Sequence, residues 1–379
     1  MDAGAVQSFA ERIRAATGER PLRLRGGGSK DFYGNVPRGE ILDTREYSGI
    51  LAYEPTELVI TARCGTPLAE IEAVLAGQGQ MLAFEPPHFS HPSPPEGGAG
   101  GEGATTVESR GSRATSVATI GGAVAAGLSG PRRASAGALR DFVLGVKMLD
   151  GNGTPLTFGG QVMKNVAGYD VARLMTGSMG ILGLLLEVSL KVLPLPVAEA
   201  TLRLEAPLAK ALELMNRWAG QPLPVSATCW QDDLLTLRLS GARSAVAAAR
   251  QRIGGELVGV TDFWHALREQ QMDFFSGDHA LWRLSLPSVT PPLDLPGEQL
   301  VEWGGSLRWL RSGASAADIR GASAQAGGHA TLFRANDALK DASGAFQPLA
   351  PALLALQRKL KQSFDPRGIF NPGRMYAEL

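Results

Sequence analysis

The chain has 379 residues, and its 37 Lys plus Arg balance 37 Asp plus Glu, so no bulk field draws it to nucleic acid or anionic lipid. Two well-separated cysteines, Cys64 and Cys229, and the lack of a basic, apolar leader argue against a disulfide framework, a Cys-based zinc site and secretion. The length predicts about two or three domains, and the expected setting is the cytoplasm. The most apolar run, Ile181 to Leu186, falls far short of the roughly 20 residues that span a bilayer, so no membrane insertion is expected. What stands out is 47 glycines, about 12% of the chain against a usual level of about 7%, most of them before residue 200.

In chain order, Val6, Phe9, Ile13 and Ala16 fall at helical spacing up to Gly18, and Leu22 and Leu24 alternate with Arg23 and Arg25 as a short strand. That strand runs into Gly26-Gly27-Gly28-Ser29-Lys30. Leu58 to Ala62 reads as a second strand, leading to Thr66 as N-cap, Pro67 as first helical residue and a stop at Gly77. Residues 91–116 are mostly Pro, Gly, Ser and Glu and predict a flexible surface loop. Phe142 to Leu149 reads as a strand ending in the hairpin signal Asp150-Gly151-Asn152-Gly153. After the Pro194-Leu195-Pro196 triplet comes strand, helix, strand, strand, helix: Thr201 to Leu204, Leu208 to Trp218, Val225 to Trp230, Leu234 to Leu239 and Ser244 to Ile253. This order predicts a split βαβ plan. A strand at Ala280 to Leu286 and a helix at Ser315 to Ala324 extend it. A last helix, Pro351 to Phe364, is followed by rigid turn residues through Gly373, which predict a docked end.

Familiar signatures are absent. The one Gly-x-Gly-x-x-Gly, at Gly98, Gly100 and Gly103, has neither strand nor helix beside it, so it is not a dinucleotide fingerprint. The five histidines form no His-Glu-x-x-His, His88 and His91 lack a third ligand, and no metal is expected. The turn from Arg25 to Lys30 has the composition that points backbone N–H groups at a phosphate, although a plain surface turn is the alternative. There Gly27 is expected to leave open the space a diphosphate needs. Two further small-residue clusters follow, Thr119-Ile120-Gly121-Gly122 with Gly127 and Ser129-Gly130, and Gly177 to Gly183. Either singly has a packing explanation, but three in one half of the chain predict an extended ligand with a diphosphate and flat rings.

Strand-Arg-Gly-Gly-Gly-Ser, Thr-Ile-Gly-Gly, Leu139 to Val146, Asp150-Gly151, Lys164 to Asp170, Gly177-Ser178-x-Gly and Phe370-Asn371-Pro372-Gly373 occur in the order seen in FAD-linked oxidases of the vanillyl-alcohol oxidase, or PCMH, type. Within that group the chain resembles the FAD-binding subunits of bacterial glycolate oxidase complexes, through Gly127 to Arg133 and Gly328 to Arg334. The resemblance implies an α+β fold: a PCMH-type FAD-binding domain of two α+β subdomains over 1–196, a ferredoxin-like cap over 197–335, and a tail over 336–379 that docks back. It implies that Arg25, Gly26, Gly27, Gly28 and Ser29 hold the FAD, that Thr119, Gly121, Gly122 and Asp141 lie along it, and that Gly177, Ser178 and Gly180 close the pocket. For Lys164, Asn165, Tyr169 and Asp170, direct contact and packing both stay open.

Covalent members carry a histidine at the glycine turn, where this chain has Ser29 and Lys30, so the FAD is expected to be non-covalent. The cap also lacks the paired histidines with which catalytic relatives hold a metal and the substrate carboxylate. The implied function is therefore an auxiliary FAD-binding subunit working with a catalytic flavoprotein subunit and an iron-sulfur subunit, cytoplasmic or peripheral to the inner membrane through that complex. A self-sufficient 2-hydroxy-acid dehydrogenase and a flavin-free scaffold are the alternatives. For hydride transfer, His329 is the candidate base, with a structural role as the competing reading, and Arg132 with Arg133 a candidate carboxylate clamp or acid-pairing patch, with a solvated pair as the competing reading.

Overall fold

The computed structural model describes residues 2–89, 117–160, 169–259 and 262–379. The loop expected at 91–116 and the residues Lys164 and Asn165 lie outside these.

The first half of the chain builds two small layers. Strand β1 (Leu22–Arg25) pairs in parallel with β2 (Glu40–Asp43), and the helix Asp2–Ala15 covers them with Phe9 and Ile13. Next, β3 (Ile50–Glu54), β4 (Val59–Arg63), β6 (Val143–Leu149), β7 (Pro155–Gly159) and β8 (Leu184–Lys191) form a 5-stranded sheet in the order β3-β4-β8-β6-β7, while β5 (Gln80–Met81) and β9 (Leu193–Pro194) pair at its margin. The helices Leu68–Ala76 and Ile120–Ala126 seat Leu68, Ile71, Leu75, Ile120 and Val124 in one core with Leu190 and Val188. Thr66 is not the N-cap expected from the sequence. The helix starts at Leu68 behind Pro67, and the Thr66 hydroxyl instead donates to the Arg63 carbonyl and accepts from the Gly49 N–H, tying the turn that follows β4 to the start of β3.

The second half is an 8-stranded antiparallel sheet in the order β13-β10-β12-β11-β15-β16-β14-β17. Its strands are β10 (Ala198–Glu205), β11 (Val225–Gln231), β12 (Leu234–Gly241), β13 (Glu256–Val258), β14 (Leu281–Ser285), β15 (Glu298–Glu302), β16 (Leu307–Arg311) and β17 (His329–Arg334). With the helices Leu208–Ala219 and Arg243–Ile253, the strands β10 to β13 make a βαββαβ unit whose order is the ferredoxin-like one. Strand periodicity then sets the two faces. Leu235, Leu237 and Leu239 pack under the helices beside Ala211, Met215 and Trp218, and Trp282 and Leu284 pack against Ile319. The intervening residues Arg238, Leu281 and Arg283 turn toward the first half of the chain.

Buried polar contacts hold the halves together and seat the tail. The Glu85 carboxylate accepts from Arg132 Nε at 3.2 Å and Arg238 Nη2 at 2.8 Å, and Arg132 reaches on to Glu199 at 2.7 Å. At the tail, the helix Pro351–Phe364 presents Lys361, whose buried ammonium donates to Asp365 Oδ2 at 2.7 Å and to the carbonyls of Ile181 and Phe370. Asp365 also accepts from the Ile369 and Phe370 N–H groups.

Removing one member of such a buried pair leaves the other unmatched, so Lys361→Met should lose about 3–5 kcal/mol of stability in urea denaturation. Lys361→Arg, which keeps the charge, should lose much less.

Candidate functional site

A cleft opens where β1 delivers the glycine turn beside the helix Ile120–Ala126. It is lined by Arg23 to Asp31, Pro37, Thr119, Gly122, Ala125, Ala126, Met179, Asn371 and Arg374. The turn is compelled by close approach. Gly28 takes φ of +77°, and a Cβ on Gly26 or Gly27 would collide with the Thr119 hydroxyl or the Val117 carbonyl. The space above Gly27 is therefore held by the chain's own backbone rather than left open for a ligand. The Asp31 N–H closes the turn onto the Gly28 carbonyl at 3.1 Å, while the N–H groups of Gly27, Gly28 and Ser29 meet no acceptor among the described residues. Arg23 and Arg25 both grip Asp31 at 2.7 Å, which stiffens the turn from outside.

Of the other residues expected along the ligand, Thr119 caps the helix, its hydroxyl accepting from the Gly122 N–H at 3.3 Å, and both line the cleft. Gly121 faces away: its N–H donates to the Cys64 carbonyl at 2.8 Å, so its smallness serves backbone packing. Asp141 lies elsewhere too, accepting from the Ala138 N–H at the start of the short helix Leu139–Phe142. In the third cluster Gly177 abuts Gly127 and Gly180 packs on Asn371, while Met179, with φ of +54°, is the residue that reaches the cleft. Asp170 caps the helix Val171–Leu174, and Tyr169 is 95% exposed, so neither forms part of the wall. Asn371 and Arg374 are lining residues that strand and helix patterns do not reveal; their one sequence signal is the Asn-Pro-Gly turn of the tail.

A second, small cavity lies between the segments 87–89 and 128–131 and the inward face of the large sheet. Leu128, Trp303, Trp309, Phe333 and Phe89 wall it, and Arg283 and Glu302 bring the charge. Glu302 is buried, its carboxylate accepting from Trp309 Nε1 at 2.7 Å. Burial outweighs the help of that hydrogen bond and of Arg283, and the carboxyl is pushed up to about 7. Sequence reasoning missed both residues. The available signal was a charge inside an apolar strand, Arg283 within Leu-Trp-Arg-Leu and Glu302 within Leu-Val-Glu-Trp.

Neither catalytic candidate from the sequence sits in this cavity. Arg132 is committed to Glu85 and Glu199, and Arg133 lies 4.4 Å over the Trp303 ring, so the two arginines are no solvated pair. His329 stands at the exposed start of β17, its pKa lowered by partial burial and by Arg283. Of the two histidines weighed as ligands, His88 lies 3.0 Å from Glu72 and His91 lies outside the described residues, and no metal-binding cluster occurs among the described residues. Both cysteines are buried, which raises their thiol pKa and keeps them from reacting as thiolates. Among the described residues, no helix is long and apolar enough to cross a membrane.

Comparison with known proteins gives the class. An FAD binding domain model matches residues 3–112 and 102–159, and the C-terminal domain model of FAD linked oxidases matches 347–375. Alkyldihydroxyacetonephosphate synthase has the same fold, with a TM-score of 0.60 at 14% identity over 97% of this chain and 74% of that one. The glycolate oxidase subunit GlcE of Escherichia coli is 50% identical over 98% of both chains. Glycolate oxidase subunit GlcD of Bacillus subtilis is 40% identical over 86 residues, 23% of this chain and 18% of that one. The fold is that of the PCMH-type FAD-linked oxidases. The chain belongs to the family of glycolate oxidase subunit GlcE, and its cofactor is FAD. The residues present fit that group: the cleft's lining includes a glycine turn whose Gly27, Gly28 and Ser29 N–H groups meet no acceptor among the described residues, the kind of donor set that takes a phosphate.

Glu302 also makes a stability prediction. A carboxyl raised from 4.5 to about 7 binds its proton more tightly in the folded state, so the stability is full below the unfolded pKa and lost as pH rises through 7. Stability should fall by on the order of 3 kcal/mol between pH 4.5 and 7.5 from this group alone. Glu302→Gln should flatten that part of the pH profile, as read by denaturant midpoints.

Proposed function

We propose that the chain is the FAD-binding subunit of a glycolate oxidase complex, auxiliary to a catalytic flavoprotein subunit and an iron-sulfur subunit. The observation that carries this reading is the end-to-end match, at 50% identity, to a glycolate oxidase subunit. On this reading residues 1–196 form the FAD domain, 197–335 the cap and 336–379 the returning tail. The glycine turn with Thr119 and Gly122 holds the dinucleotide, and the aromatic cavity under the cap shelters its ring end from water. FAD, when bound, supplies an acceptor for a hydride or electrons. Ser29 and Lys30 offer no histidyl bond, so the cofactor is non-covalent.

The auxiliary role follows from what the cavity lacks. A small 2-hydroxy acid needs its carboxylate fixed and its hydroxyl proton removed in one geometry. Arg132 is already saturated, His329 lies outside the cavity, and the cap offers no paired histidines. A second reading, a self-sufficient 2-hydroxy-acid dehydrogenase, draws its support from Arg283 and Glu302, a cation and a carboxyl that titrates near neutrality in one apolar cavity.

The purified chain should carry visible flavin that leaves it on acid precipitation. Mixed anaerobically with glycolate, its flavin band should stay, and it should bleach once the catalytic flavoprotein and iron-sulfur subunits are added. Fast bleaching by the chain alone promotes the dehydrogenase reading, and a colourless chain that takes up no added FAD defeats both.

A further inference from the structure

Four cations line the FAD cleft, and three of them are occupied. Arg23 and Arg25 share Asp31, and Arg374 donates to the main-chain carbonyls of Asn35 and Asp31. Lys30 differs. Its ammonium has one polar contact among the described residues, the Ser29 hydroxyl at 3.3 Å, and otherwise lies 5.6 Å from the centroid of the Phe89 ring. The two carboxylates nearby are committed: Asp31 to the arginines, and Glu269 to Arg268 and to the N–H groups of His88 and Phe89. The main chain at Lys30 is pinned, its carbonyl accepting from the Tyr33 N–H at 3.0 Å, so the side chain starts from a fixed point.

An enclosed cation without a counter-ion is costly unless something else supplies the negative charge. The same cleft is lined by Gly27, Gly28 and Ser29, whose N–H groups meet no acceptor among the described residues. We propose that Lys30 is the cation that holds the dinucleotide's diphosphate on the glycine turn, an inference that rests on FAD binding in this cleft. Without ligand, burial outweighs the attraction of Glu269 and lowers the Lys30 ammonium to about 8. A bound diphosphate favours the charged form and draws that pKa back up. Affinity for FAD is then full below pH 8 and falls as the free protein's lysine deprotonates. The other groups facing Lys30 do not titrate in this window. Glu269 ionises lower, since Arg268 and the Phe89 and His88 N–H groups overcome its burial, Arg334 and Arg374 are held at about 10, and burial raises Tyr33.

The test titrates apoprotein with FAD at pH 7 and pH 9, for the natural chain, Lys30→Met and Lys30→Arg, with ADP as a competitor that carries the diphosphate without the flavin. Loss of one charge-assisted contact should weaken Lys30→Met about 10- to 100-fold at pH 7, equally for FAD and ADP. The natural chain should lose affinity between pH 7 and 9, while Lys30→Arg, which stays charged, should hold it. The natural and Lys30→Arg proteins answer the question by themselves if the methionine variant misfolds. Wild-type affinity in Lys30→Met, identical pH profiles for the natural chain and Lys30→Arg, or a loss seen with FAD but not ADP overturns the assignment and leaves the FAD site standing. A natural chain that binds no FAD overturns the FAD reading itself.

Discussion

Asn371 holds together the three pieces of chain from which the cleft is made. Its side-chain oxygen accepts from the Leu24 N–H at 2.8 Å, its amide nitrogen donates to the Met179 carbonyl at 2.7 Å, and its own N–H donates to the Leu22 carbonyl at 2.9 Å. One residue thus fixes β1, the Gly177 to Gly183 turn and the tail relative to one another. Its φ of +42° is a conformation that asparagine tolerates better than most residues. The Lys361–Asp365 pair lies just behind it and sets the height at which the tail crosses β1. Displacing Asn371 would spread the cleft walls without touching any residue of the glycine turn.

The second cavity depends on a different constraint, the charges gathered at Glu85. This residue, with φ of +47°, takes Arg132 from the segment after the helix Ile120–Ala126 and Arg238 from β12, so the large sheet is tied at one point to the loop that carries Phe89. Trp303 Nε1 donates to the Gly130 carbonyl at 3.0 Å and repeats the tie a few residues away. These polar contacts fix the spacing between the two walls of the aromatic cavity.

Local patterns told most where an element is stabilised by its own neighbours. The helix read at Leu208 to Trp218 is Leu208–Ala219, and the helix at Pro351 to Phe364 is as expected, because each has a clear apolar stripe and a Pro or Gly boundary. The strand, helix, strand, strand, helix order after residue 196 was legible for the same reason, whereas the three-residue strand β13 that closes the unit was not. The strands β2, β3, β15, β16 and β17 were not: each is only four to six residues long, β17 is held by β14 from far earlier in the chain, and β16 sets Arg308 and Leu310 against Leu307 and Trp309 with both pairs buried, so no polar face marks it. Of the site, the glycine turn and Thr119 were legible as chemistry. Gly121 and Asp141 were drawn toward the ligand by family resemblance, whereas Gly121 serves the backbone of Cys64 and Asp141 a helix start. Arg283, Glu302 and Met179 escaped notice because only tertiary contact brings them to a cavity.

The tail's position has a consequence for biosynthesis. The cleft's first wall, β1, is made from residues near the start of the chain, yet its hydrogen bonds to Asn371 and the closing guanidinium of Arg374 come about 350 residues later. A nascent chain emerging from the ribosome can form the 5-stranded sheet, whose strands all precede residue 192, long before the cleft has both sides. If the dinucleotide occupies this cleft, as proposed, cofactor loading would wait until translation has passed Arg374, and a chain stalled short of that point would present a folded sheet without a finished cleft.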